Sequence, residues 1–123
     1  MLYKKLLLLF IFTLVSLPVF SFSKISKNPV AIYEEINPAI VSVDSQLLSC
    51  GTGCIIDKSG VILTSAHVVD VGNAVVVTTN NGQNYTAKVL KRLGDNKDIA
   101  LLKIDAKRNF KTVKLGNSEK VKV

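Results

Sequence analysis

The chain has 123 residues, 48% hydrophobic and 20% charged, with 16 Lys and Arg against 9 Asp and Glu for a formal charge of +7. The hydrophobic share excludes a disordered chain, the 2 Cys exclude a disulfide-dense miniprotein, and the length sets a ceiling of one domain.

Lys4 and Lys5 precede the apolar run Leu6 to Val15, and Ser21-Phe22-Ser23 supplies small residues for cleavage. This is the pattern of a secretory signal peptide over residues 1–23. An uncleaved membrane anchor is the competing reading, although the 17 residues from Leu6 to Phe22 fall short of the roughly 20 that a spanning helix needs. No Cys follows the run to carry a lipid, so export in soluble form is the expectation. Cleavage after Ser23 leaves 100 residues with a charge of +5, enough for a single core.

Residues 24–39 read as a linker and a short helix. Asn28-Pro29 is a helix start, Val30, Ile32, Tyr33 and Ile36 share one face, and Asn37-Pro38 is a stop. Beyond it the period changes to two, with β-branched residues between turn signals, which predicts an all-β domain over 40–123. Strands are expected at Ile40 to Ser45, Cys50 to Ile56, Val61 to Ser65, Ala74 to Thr79, Tyr85 to Leu90 and Ile99 to Ile104. Asp57-Lys58-Ser59-Gly60 and Asn80-Asn81-Gly82-Gln83 have the composition of tight hairpin turns. Six short antiparallel strands remove their exposed edges by closing on themselves, so the expected architecture is a six-stranded antiparallel barrel.

Charge is distributed unevenly. Residues 24–87 hold 3 basic and 5 acidic groups, whereas residues 88–123 hold 11 and 4. A solvated, mutually repelling lysine face accounts for this, with an anionic membrane surface or an acidic polypeptide as the alternatives. No nucleic-acid partner is expected, because an export signal is present and no recognisable RNA- or DNA-binding motif is.

Two residues stand out for chemistry. His67, the 1 histidine of the chain, follows a predicted strand inside what reads as a single helical turn, and an imidazole exchanges protons near neutral pH. Asp98 opens the apolar run Ile99 to Ile104, where an unpaired carboxylate is costly and calls for donors. Those donors are either the Nδ1–H of His67 or the backbone N–H groups of a capped turn. Cys50 and Cys54, four apart on a strand, would have Cα atoms about 13 Å from each other, too far for a disulfide. Free thiols are expected, with Cys54 packed inward. One His and two Cys without zinc-like spacing or a fourth ligand predict no metal, and nothing in the chain predicts a cofactor.

Gly51-Thr52-Gly53-Cys54-Ile55-Ile56-Asp57, Val61-Ile62-Leu63-Thr64-Ser65-Ala66-His67-Val68-Val69 and Asp98-Ile99-Ala100-Leu101-Leu102-Lys103-Ile104 together resemble the first half of a trypsin-like serine protease. The resemblance is to the bacterial HtrA/Deg group, periplasmic Do-like proteases, and runs from about residue 30 to the end. Val68 stands where many animal trypsins have a cysteine. By this resemblance the fold is the first barrel of a chymotrypsin-like pair, His67 is the general base and Asp98 its orienting acid. The family's nucleophilic serine, oxyanion hole and specificity pocket belong to a second barrel, and its PDZ domains follow that.

Gly116-Asn117-Ser118 imitates the nucleophile motif, but Glu119-Lys120 follow where two glycines leave backbone donors free, so Ser118 is not expected to be the nucleophile. It looks instead like the segment that leads toward the second barrel. The resemblance therefore implies a truncated serine endopeptidase, periplasmic, directed at unfolded or damaged polypeptides and inactive by itself. A separate second-barrel fragment could restore the site in trans. The alternative is a non-catalytic exported β-barrel that binds peptide or another envelope protein through an exposed apolar face.

Overall fold

Alternating β-branched and polar residues produce six strands in the computed structural model, which describes residues 28–45, 49–94 and 96–121. The expected signal peptide over 1–23 lies outside the described residues. The strands are β1 (Ile40–Asp44), β2 (Cys50–Asp57), β3 (Val61–Thr64), β4 (Ala74–Thr79), β5 (Asn84–Leu93) and β6 (Ile99–Ile104). They close into a barrel in the order β1, β2, β3, β6, β5, β4, every neighbouring pair antiparallel. The expected six-stranded barrel is therefore present.

Period two decides what lies inside. Val41 and Val43 of β1, Ile55 of β2, Ile62 of β3, Val75 and Val77 of β4, Ala87 of β5, and Ala100, Leu102 and Ile104 of β6 point inward and are buried. A six-stranded barrel has a narrow lumen, so small residues must sit opposite large ones. Gly53 is such a position: a Cβ there would come within 2.6 Å of Ile62 Cγ2. The two hairpin turns form where expected, with Gly60 at φ +91 and Gly82 at φ +79, left-handed values that favour glycine.

Two expectations need correction. β5 continues to Leu93 because a bulge between Val89 and Lys91 shifts the register by one residue, which hides the strand's alternation in the sequence. Cys54 does not point inward. On β2 the inward positions are 51, 53 and 55, so Cys54 lies half-buried on the outer face with its Sγ 3.8 Å from Leu63 O. Burial raises the Cys54 thiol pKa, while Cys50 is exposed and both thiols are free. Iodoacetamide is accordingly expected to modify Cys50 several-fold faster than Cys54, as read by mass spectrometry of timed digests; equal rates would mean an open Cys54 sulfur.

The amino-terminal helix, α1 (Pro29–Ile36), forms where expected, and Asn28 caps it by accepting the Val30 N–H at 3.1 Å. None of its residues is buried, and Val30 and Tyr33 are each 61% exposed, so its apolar face is uncovered by the described residues. A 3-10 turn, Asn37–Ala39, buries Ala39 and delivers the chain to β1. No helix among the described residues is long and apolar enough to cross a membrane.

Candidate active site at the barrel rim

β3 ends at Thr64, Ser65 remains extended, and the chain then winds into one 3-10 turn, Ala66–Val69. Two residues of that turn have no choice of direction: Val68 and Val69 are buried in the core, which forces His67 to the outside. Val68 rests on the bare backbone of Gly51, where a Cβ would lie 2.5 Å from its Cγ2. Neighbouring elements also hold the turn by its carbonyls. Ser49 Oγ donates to Val68 O at 2.9 Å and Ser45 Oγ braces Ser49 O at 3.0 Å. From β5, Arg92 donates through Nε and Nη2 to Val69 O at 2.9 and 2.6 Å, and Nη2 also reaches Gly72 O.

Arg92 and Ser49 were not legible as contributors to this site, since nothing in their neighbourhood signals a carbonyl clamp. Arg92→Met is expected to destabilise the barrel by about 1.5–3 kcal/mol, the range for hydrogen bonds to a charged donor. It should also speed amide exchange in residues 66–70 more than in β6, and uniform acceleration would refute a local clamp.

Asp98 arrives from the other side of the rim. Asn96 adopts a left-handed conformation at φ 64, which Asn tolerates better than most residues, and the chain turns there toward β6. Pairing of Thr64 with Ala100 places the end of β3 beside the start of β6. That register brings together two residues 31 positions apart: Asp98 Oδ2 lies 2.5 Å from His67 Nδ1, and Asp98 Oδ1 accepts the His67 backbone N–H at 2.8 Å. Both donors considered from the sequence are thus used, one by each carboxylate oxygen.

The His67 backbone N–H first, and then its ring, hold the Asp98 carboxyl below its ordinary pKa, so it is ionised at neutral pH. An ionised carboxylate can only accept, which assigns the shared proton to Nδ1 and, in the neutral ring, puts the free lone pair on Nε2. The expectation that burial drives this pairing is not met: the side chains are 67% exposed for His67 and 53% for Asp98. Hydrogen bonding, rather than a dry environment, sets the geometry.

The pair borders an open depression of about 350 Å³ that Asp70, Leu93 and Lys97 also line. Ser118 starts a separate 3-10 turn, Ser118–Lys120, which Asn117 caps by accepting the Glu119 N–H at 2.9 Å. Ser59 Oγ is committed to Asp57 at 2.5 Å. Among the described residues no three His, Cys, Asp or Glu side chains gather as a metal-binding group.

A closed antiparallel barrel that ends one strand in a histidine turn and begins another with the carboxylate bonded to it defines a peptidase-type barrel. The family model for the trypsin-like peptidase domain matches residues 51–123. Serine protease HTRA1A of Danio rerio is 34% identical over 97 residues, covering 71% of this chain and 20% of the relative. Probable periplasmic serine endoproteases, DegP-like, of Halomonas elongata and Chlamydia muridarum are 42% and 38% identical over 76 and 73 residues, or 61% and 59% of this chain. The chain belongs to the trypsin-like peptidase family, in its HtrA/Deg group. It spans between 14% and 20% of the length of these relatives.

Proposed function

We propose that these residues form the first barrel of a serine endopeptidase in which His67 is the general base, Asp98 orients it, and a second barrel outside the described residues supplies the serine. The observation that carries this reading is the two-point contact of Asp98 with His67 at the rim, which leaves Nε2 unoccupied and facing outward. As a serine Oγ attacks the scissile carbonyl, Nε2 takes its proton, and the nearby Asp98 charge stabilises the resulting imidazolium. Nε2 then returns the proton to the leaving amine, and a water molecule repeats the cycle to release the acyl group.

The large exposure of both side chains fits a site that a second barrel covers, because excluding water strengthens each of these electrostatic contacts. The signal-peptide pattern of residues 1–23 and the likeness to periplasmic serine endoproteases support a periplasmic location and polypeptides as substrates; unfolded or damaged envelope proteins are the substrates that the family resemblance implies. In this reading the 123 residues by themselves hydrolyse peptides negligibly, since nucleophile and oxyanion donors are both supplied from elsewhere.

A fluorophosphonate probe tests the assignment. The chain alone should remain unlabelled, and the chain joined to the second barrel of a DegP-like relative should label at the added serine. That labelling should disappear in His67→Ala. Labelling of the unjoined chain that depends on His67 would place the nucleophile within it and overturn the proposal.

A further inference from the structure

The starts of β1, β3 and β5 and the ends of β2, β4 and β6 all lie at the end of the barrel opposite His67 and Asp98. A cavity of about 420 Å³ opens there, between the two hairpin turns and residues 108–111, within the size range of small-ligand sites. Lys58, Arg108 and Lys111 all line it, and no Asp or Glu does. The nearest carboxylate in sequence, Asp57, already accepts both the N–H and the Oγ of Ser59.

The frame around these cations is built rather than loose. Phe110 is buried, packs edge-on against Tyr85 with ring centroids 5.5 Å apart, and donates its backbone N–H to Lys58 O at 2.9 Å. That bond ties the Lys58 turn to the segment carrying Lys111, and both lysines line the cavity. Arg108 lies 5.3 Å over the Phe110 ring, and its Nη1 donates to Gln83 Oε1 at 2.9 Å and to Tyr85 Oη at 2.8 Å. Neutral acceptors hold the guanidinium in place while leaving its charge uncompensated. Asn80 and Asn81 add amide groups to the same lining. Three cations that line one cavity with no carboxylate in its lining repel one another, and an anion among them relieves that cost.

We propose that this cavity is a phosphate-binding site, accepting a phosphate oxyanion either free in solution or as a phosphomonoester lipid headgroup. A planar carboxylate is the poorer fit: three cations match the three or more acceptor oxygens of a phosphate, while a carboxylate offers two. The inference uses none of the residues of the peptidase site and stands or falls separately from it.

The test is a titration of the full chain with inorganic phosphate, followed by calorimetry and by melting temperature against chloride at equal ionic strength. Saturable binding is expected, with the melting temperature rising as phosphate is added. Lys58→Gln and Lys111→Gln, both exposed and without a fold-bearing side-chain bond, should each weaken it about ten-fold, the loss of one charge-assisted hydrogen bond. Arg108→Lys should weaken it comparably, because an ammonium lacks the braced planar fork. Vesicles of phosphatidylcholine with phosphatidic acid separate the sources: retention that is lost in the Lys58→Gln/Lys111→Gln double variant assigns the headgroup, and phosphate binding without retention assigns the free ion. Absence of saturation, equal binding of acetate, or unchanged affinity in the double variant would overturn the proposal.

Discussion

Asp98→Asn is expected to lower the turnover of the assembled protease about 10⁴-fold while leaving the barrel folded. The reason lies in the two bonds that Asp98 accepts. An asparagine can still accept the His67 backbone N–H through its single oxygen, so the turn survives, but its amide nitrogen then confronts Nδ1 as a donor. The ring must answer by accepting at Nδ1, which moves its proton to Nε2 and removes the lone pair that a serine needs. Nitrogen-15 NMR of the chain reads this directly, without any activity: the wild type should carry the neutral-ring proton on Nδ1 and the variant on Nε2. The same tautomer in both would sink the assignment of Asp98 as the orienting group.

A pH signature accompanies it. The folded Asp98 pKa is depressed, so its contribution to stability is complete above the ordinary carboxylate value of about 3.9 and is lost as pH falls through the lower folded value. Asp98→Asn should abolish that part of the acid sensitivity, leaving the part that belongs to Asp57, whose pKa is also lowered, chiefly by its bond from the Ser59 side chain.

The second large effect is structural. Leu102 is fully buried at the centre of β6, level with Ile62 of β3 and Val89 of β5. Leu102→Ala removes its packing and leaves a void that a closed barrel can scarcely collapse to fill, at a cost of about 2–5 kcal/mol. In a domain of this size each kcal/mol shifts the melting temperature by roughly 4–8 °C, which circular dichroism resolves easily. Leu115→Ala, at a site 70% exposed, should stay within about 0.5 kcal/mol of wild type. Comparable losses for the two would contradict the placement of the core inside the barrel.

Much of this was open to inspection in the chain itself. Strand positions followed from two-residue alternation, the hairpins from Gly60 and Gly82, and α1 from Asn28-Pro29. Errors arose where one residue disturbed the period. The bulge near Leu90 concealed three residues of β5, and two glycines facing inward on β2 masked the fact that Cys54, rather than they, lies outside. Glycine carries no hydrophobic signal, so a pattern-based reading assigns the lumen to the nearest apolar side chain.

Local sequence alone determined the number of strands and their places along the chain and singled out His67 and Asp98 as the residues worth joining, because period, turn chemistry and an isolated carboxylate are properties of neighbours along the chain. Only the tertiary structure decided that the two meet, that each oxygen of Asp98 has its own donor, that Arg92 clamps the histidine turn, and that three cations line one cavity at the opposite end. Those facts depend on barrel closure and inter-strand register, which bring residues tens of positions apart into contact and leave no mark on either segment by itself.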